Sequence, residues 1–137
     1  PLQRIAYNAI PSVVYTNPEI ACVGLTEKDL NEIHEGDFAP SMSTDEPFVP
    51  YEVHQLPMTY SGRFVAENEG EMGLCKVIVD KRSKTVMGVH MIGNPCSEFV
   101  AAASFAVRMG YTVGEFKQVV FPHPTVAEVM REVIMEA

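Results

Sequence analysis

Leu74-Cys75-Lys76-Val77-Ile78-Val79-Asp80 and Thr85-Val86-Met87-Gly88-Val89-His90-Met91-Ile92, joined by Lys81-Arg82-Ser83-Lys84, decide the fold of this chain. Both runs are rich in β-branched and apolar side chains, which fit a pleated, half-buried surface, and the four polar residues between them suit a solvated turn. The pattern predicts two antiparallel strands in a hairpin. His90 lies inside the second strand, where a structural role outweighs a catalytic one.

Toward the N-terminus, Val13 to Tyr15 and Ile20 to Val23 are short β-prone runs, and Asn17-Pro18 between them reads as a turn or bend. Thr26 caps a short helix whose first turn carries Glu27 and Asp29 at the positive end of the helix dipole. Leu25, Leu30 and Ile33 face inward, and Gly36 is a stop. Beyond it, Pro40, Pro47, Pro50 and Pro57 interrupt regular structure, so Asp37 to Pro50 reads as an enlarged surface excursion. Tyr51 to Tyr60 and Phe64 to Glu67 are expected to add strands beside the hairpin, with Ser61-Gly62-Arg63 as a bend.

On the C-terminal side, Pro95 suits the first turn of a helix in which Phe99, Ala103, Ala106, Val107 and Gly110 recur at intervals of three and four. With Ala101 and Ala102 this helix is lined by small residues, which favour close approach of a sheet or a partner. Thr112-x-x-Glu115 is a capping box opening a second helix to Val120, and Phe121-Pro122 ends it. Strands in one block with helices on either side predict an α+β sandwich, an antiparallel β-sheet covered by helices on one face, the other face being wet or dimeric.

The 137 residues suit one domain, residues 1–137, able to bury about two thirds of its unfolded surface. A net charge of −8 repels phosphate backbones and anionic membranes, which argues against a nucleic-acid role. No apolar run reaches membrane-spanning length and no leader pattern opens the chain, so a cytoplasmic setting is expected. Cys22, Cys75 and Cys96 are odd in number and widely spaced, which suits buried thiols better than a disulfide frame, and no metal site is expected. The chain begins Pro1-Leu2 without an initiator Met, as an excised domain or a processed product would.

His123-Pro124-Thr125-Val126-Ala127-Glu128 is the one stretch that looks built to move a proton. Histidine titrates near neutrality, and a carboxylate within reach fixes its tautomer and favours its charged form. Pro124 biases His123 toward extended backbone and Thr125 is a good N-cap, so the ring should project from the mouth of a helix. Thr125-x-x-Glu128 is equally a capping box, and the cap and the acid/base pair would compete for one carboxylate.

His123-Pro124-Thr125 with Glu128, Tyr15-Thr16-Asn17-Pro18-Glu19-Ile20-Ala21-Cys22-Val23-Gly24-Leu25-Thr26-Glu27 and Gly88-Val89-His90-Met91-Ile92-Gly93 together resemble the C-terminal interface domain of the flavin-dependent pyridine-nucleotide disulfide oxidoreductases. The three blocks keep the family's order from about Ile10 to about Glu132. Within the family, Thr125 to Val129 followed by Arg131-Glu132 looks more like the dihydrolipoamide dehydrogenases than the glutathione reductases, although a glutathione-reductase-like enzyme stays an alternative. The resemblance implies a homodimer, with FAD and NAD held by domains absent from this chain. It also implies that His123 is the catalytic acid/base for the partner subunit, that Glu128 orients it, and that Pro124 lies beside the flavin after a cis bond.

The chain shows no Gly-x-Gly-x-x-Gly between strand and helix and no cysteine pair, so alone it is expected to be inactive and to bind no cofactor. A different class of reading is an acidic interaction module using Asp45-Glu46 and Glu67, Glu69 and Glu71. The resemblance supplies such a partner, the basic subunit-binding domain of a 2-oxo acid dehydrogenase acyltransferase.

Overall fold

The hairpin forms, in a computed structural model that describes residues 5–35 and 50–137. In chain order the strands are β1 (Ser12–Val14), β2 (Ile20–Gly24), β3 (Tyr51–Leu56), β4 (Leu74–Asp80) and β5 (Val86–Ile92). The helices are α1 (Glu27–Glu35), α2 (Gly62–Glu67), α3 (Cys96–Met109), α4 (Val113–Phe116) and α5 (Glu128–Met135), with 3₁₀ turns at Tyr7–Ala9 and Met58–Tyr60. The strands make one antiparallel sheet in the order β1-β2-β5-β4-β3. The hairpin therefore sits centrally, with Leu74 opposite Ile92 and Val77 opposite Val89. The Gly36 stop and the excursion up to residue 49 lie outside the described residues.

One face of the sheet carries the main core. Cys75, Val77 and Val79 of β4 and Val86, Val89 and Met91 of β5 are buried there with Val100, Ala103, Ala106 and Val107 of α3 and Val129, Met130, Val133 and Ile134 of α5. The small residues of α3 let it lie close on β2 and β5, while α5 covers β3 and β4. Gly110 is not part of that face. It is exposed and left-handed (φ 64°), the position after a helix where a residue without Cβ is favoured.

The expectation of a single covered face is corrected by α1. Lys76, whose side chain leaves the sheet on the opposite face from Val77, places Nζ 2.6 Å from Glu27 Oε1 at the start of α1. Leu30 of α1 and Ile78 of β4 are both fully buried outside the main core. Tyr51 on β3 donates its hydroxyl to Asn31. A helix with Thr26 as cap, bonded reciprocally to Asp29, thus shields the second face around Ile78.

Two further expectations change. Phe64 to Glu67 is helix α2, not strand, because the hydroxyl of Ser61 accepts from the Phe64 amide and supplies an N-cap while Phe64 is fully buried. The helix opening at Thr112 lasts only from Val113 to Phe116, although both halves of its capping box are made. Its last residues lead instead toward Phe121, whose ring lies 5.9 Å from that of Phe116.

Candidate functional site

The segment between α4 and α5 presents a histidine to solvent on a fixed base. α5 packs its apolar side, Val129, Met130, Val133 and Ile134, into the core, so the residues just before it are held at the domain surface. His123 stands there 82 % exposed, after an exposed Val120 and before Pro124, with a cis His123-Pro124 bond as expected.

His123 Nδ1 lies 2.8 Å from Glu128 Oε1. A carboxylate only accepts, so Nδ1 carries the hydrogen and Nε2 is the unprotonated nitrogen of a largely exposed ring. The other carboxylate oxygen, Oε2, accepts the backbone N–H of Thr125 at 2.8 Å. The anticipated competition for one carboxylate is thereby resolved: Glu128 serves the cap with one oxygen and the imidazole with the other. Partial burial works against its charge, but the Thr125 amide and then His123 outweigh it and hold the carboxyl below the ordinary glutamate value.

Only half of the expected capping box exists. The Thr125 hydroxyl donates to the carbonyl of Pro122 at 2.8 Å, and α5 begins at Glu128 with Ala127 before it. Thr125 is in turn gripped from the core side, where the hydroxyl of Ser61 donates to its carbonyl at 2.9 Å. Ser61 is the one polar side chain buried among the described residues, and the reading of the sequence passed over it as a bend. The signal available was its position three residues before Phe64, a cap ahead of an apolar residue.

The other two histidines whose side chains are described differ in kind. His90 places Nε2 2.9 Å from the carbonyl oxygen of Leu25, a structural tie as expected. His54 has Nε2 buried 3.9 Å from Glu52 Oε1, too far for a hydrogen bond. Among the histidines whose side chains are described, His123 alone pairs with a carboxylate at hydrogen-bond distance.

The thiols are unpaired. Burial pushes Cys75 up to about 12 and Cys96 up to about 11, so neither is a nucleophile near neutrality. Cys22 departs from the expectation of three buried thiols by being partly exposed, though burial still raises its pKa.

With this geometry, the chain matches the family described as "Pyridine nucleotide-disulphide oxidoreductase, dimerisation domain" over residues 10–134. The chain belongs to that family. Mitochondrial dihydrolipoyl dehydrogenase of Caenorhabditis elegans is 36% identical over 134 residues, 98% of this chain and 24% of the relative. Dihydrolipoyl dehydrogenase of Haloferax volcanii is 35% identical over 124 residues, 90% of this chain and 23% of the relative. The dimerisation domain thus spans about a quarter of the length of these relatives. Its fold matches LpdA from Mycobacterium tuberculosis with a TM-score of 0.80 at 20% identity, over 99% of this chain and 26% of that one. The copper(II) complex of the HOCl-induced flavoprotein disulfide reductase RclA from Escherichia coli matches with a TM-score of 0.76 at 19% identity, over 94% and 26%. The family and the α+β architecture expected from three short blocks of sequence are both borne out.

Proposed function

We propose that this dimerisation domain belongs to a flavin-dependent dihydrolipoyl dehydrogenase and lends His123 to the active site of a second copy. The observation that carries the reading is the divided use of Glu128, which anchors Nδ1 of an 82 % exposed imidazole and leaves Nε2 unprotonated.

His123 takes a proton from an incoming dithiol at Nε2, and Glu128 stabilises the imidazolium that results. The thiolate left behind is the nucleophile in disulfide exchange, so this proton transfer is the chain's own share of the reaction. The disulfide it attacks, the FAD and the NAD belong to domains outside these residues. The chain does not fit as their holder: the N-terminus of α3, its longest helix among those described, is already filled by Glu19, whose carboxylate accepts the Ser97 amide at 3.0 Å and would repel a phosphate. What the chain offers a flavin is the exposed face of His123 and Pro124.

Self-association has support on a different face. Ala101 and Phe105 of α3 are exposed, and with Ile5 and Ile10 they form the apolar part of a groove of about 730 Å³ that Ser104 and Arg108 also line. Covering such a surface with a second copy in a two-fold dimer is the common solution. The net charge of −8 further suits a basic subunit-binding domain of an acyltransferase as a second partner.

The test is complementation in the full-length enzyme. His123→Gln should slow dithiol oxidation by roughly 10² to 10⁴, the usual worth of a positioned acid/base, with flavin content unchanged. Mixing such subunits with subunits lacking the redox cysteines should restore one intact site per heterodimer. Mixtures that exchange subunits yet recover no activity would show that His123 does not act across the interface.

A further inference from the structure

We infer that Ser61 is a positioning residue for the His123–Glu128 pair, acting through Thr125; the inference rests on the reading of His123 as the acid/base. Four hydrogen bonds run in series. The Phe64 amide donates to Ser61 Oγ at 3.1 Å, and Ser61 Oγ donates to the Thr125 carbonyl at 2.9 Å. The Thr125 amide donates to Glu128 Oε2 at 2.8 Å, and Glu128 Oε1 holds His123 Nδ1 at 2.8 Å. A hydroxyl has one hydrogen, so by accepting from Phe64 the Ser61 side chain is oriented to give that hydrogen to Thr125.

Both ends of the series are anchored differently, and this gives it direction. The inner end is rigid. Phe64 is fully buried, the Asn68 side chain donates to the carbonyls of Phe64 and Asn94, and so α2 is tied to the start of α3. The outer end is the exposed imidazole. Between them Thr125 is fixed on both sides of its Cα, its carbonyl by Ser61 and its amide by Glu128. Ser61 is 2 % exposed, so water does not replace its hydroxyl without rearrangement. Such a series sets where the carboxylate points, and proton transfer is sensitive to displacements of an ångström or less.

A mere helix cap would behave otherwise, and two variants separate the roles. Alanine is a poor N-cap, whereas glycine is nearly as good as serine, yet both lack the hydroxyl that reaches Thr125. In the full-length enzyme Ser61→Ala and Ser61→Gly should therefore lower kcat for dithiol oxidation alike, by roughly tenfold, with KM nearly constant, while Ala, which is also the poorer cap, lowers Tm further than Gly. Hydrogen exchange of the peptide containing Thr125 should lose protection in both. If kcat follows Tm, so that glycine is spared, or if exchange at Thr125 is unchanged, the positioning role is overturned. His123→Gln run beside them keeps the two readings apart. Should it leave dithiol oxidation intact, the acid/base reading fails, and Thr125 exchange still judges the hold of Ser61 on the loop.

Discussion

The carbonyl oxygen of Leu25 and the backbone of Gly88 stand so close that a Cβ built on Gly88 would lie 2.1 Å from that oxygen. The same oxygen is within 2.9 Å of His90 Nε2, so the segment leading into α1 is pinned on β5 by a hydrogen bond at one residue and a missing side chain at another. The strand pairing adds to this, since Gly24 lies opposite Gly88.

Gly88→Ala should therefore be destabilising by about 1–3 kcal/mol, because the atom it meets is backbone and cannot swing away. Gly62→Ala is the control. It adds a Cβ with nothing within 4 Å at the first position of α2, and should be neutral or slightly stabilising. Denaturant midpoints at constant m-value would check both, and equal midpoints would refute the close-approach argument.

α1 gives a second prediction. Leu30 of α1 is fully buried although it lies outside the main core, so Leu30→Ala should cost about 2–5 kcal/mol as a core truncation does. A loss below 1 kcal/mol, as for an exposed helix position, would return α1 to the surface.

The hairpin, α3 and the proton-bearing segment were legible because each is specified locally: β-branched runs around a polar turn, small residues at helical spacing, and a histidine five residues before a carboxylate. α2 was not, because Ser61-Gly62-Arg63-Phe64 has too few residues to display a period, and what makes it helical is a cap and one buried ring. The position of α1 was equally hidden, since which face a short helix covers depends on the Lys76–Glu27 and Tyr51–Asn31 ties between distant residues. The pairing of His123 with Glu128 was visible, but not that both carboxylate oxygens are used. That required the Thr125 amide in space.

The thiols predict an alkaline limit. Cys75 and Cys96 are raised by burial to about 12 and about 11 from an ordinary 9.0, so the folded state favours the neutral thiol. That contribution is fully present below the unfolded value and is lost as pH rises from there through the folded values. Stability should decline above pH 9. Cys75→Ala and Cys96→Ala together should flatten the decline. At neutral pH a thiol reagent should label Cys22 first, since Cys75 and Cys96 are buried. Labelling of Cys75 at an equal rate in the folded protein would contradict the burial.

Glu128 predicts the opposite limb. Despite partial burial, which raises it, the Thr125 amide and the His123 side chain hold this carboxyl below the ordinary 4.5, so it stabilises the loop above that value. The stabilisation is lost as pH falls through the folded pKa, when the protonated carboxyl releases His123 and weakens its hold on Thr125. The Thr125 amide proton, as the donor to Oε2, should shift with the same midpoint, below 4.5, and this acid-range titration should vanish in Glu128→Gln. That variant keeps an oxygen for the amide and another group beside Nδ1 but removes the carboxylate charge, so its loss of dithiol oxidation should be smaller than that of His123→Gln. A Thr125 resonance that ignores acid pH would mean that Glu128 does not hold the loop, and the orientation of His123 would need another source.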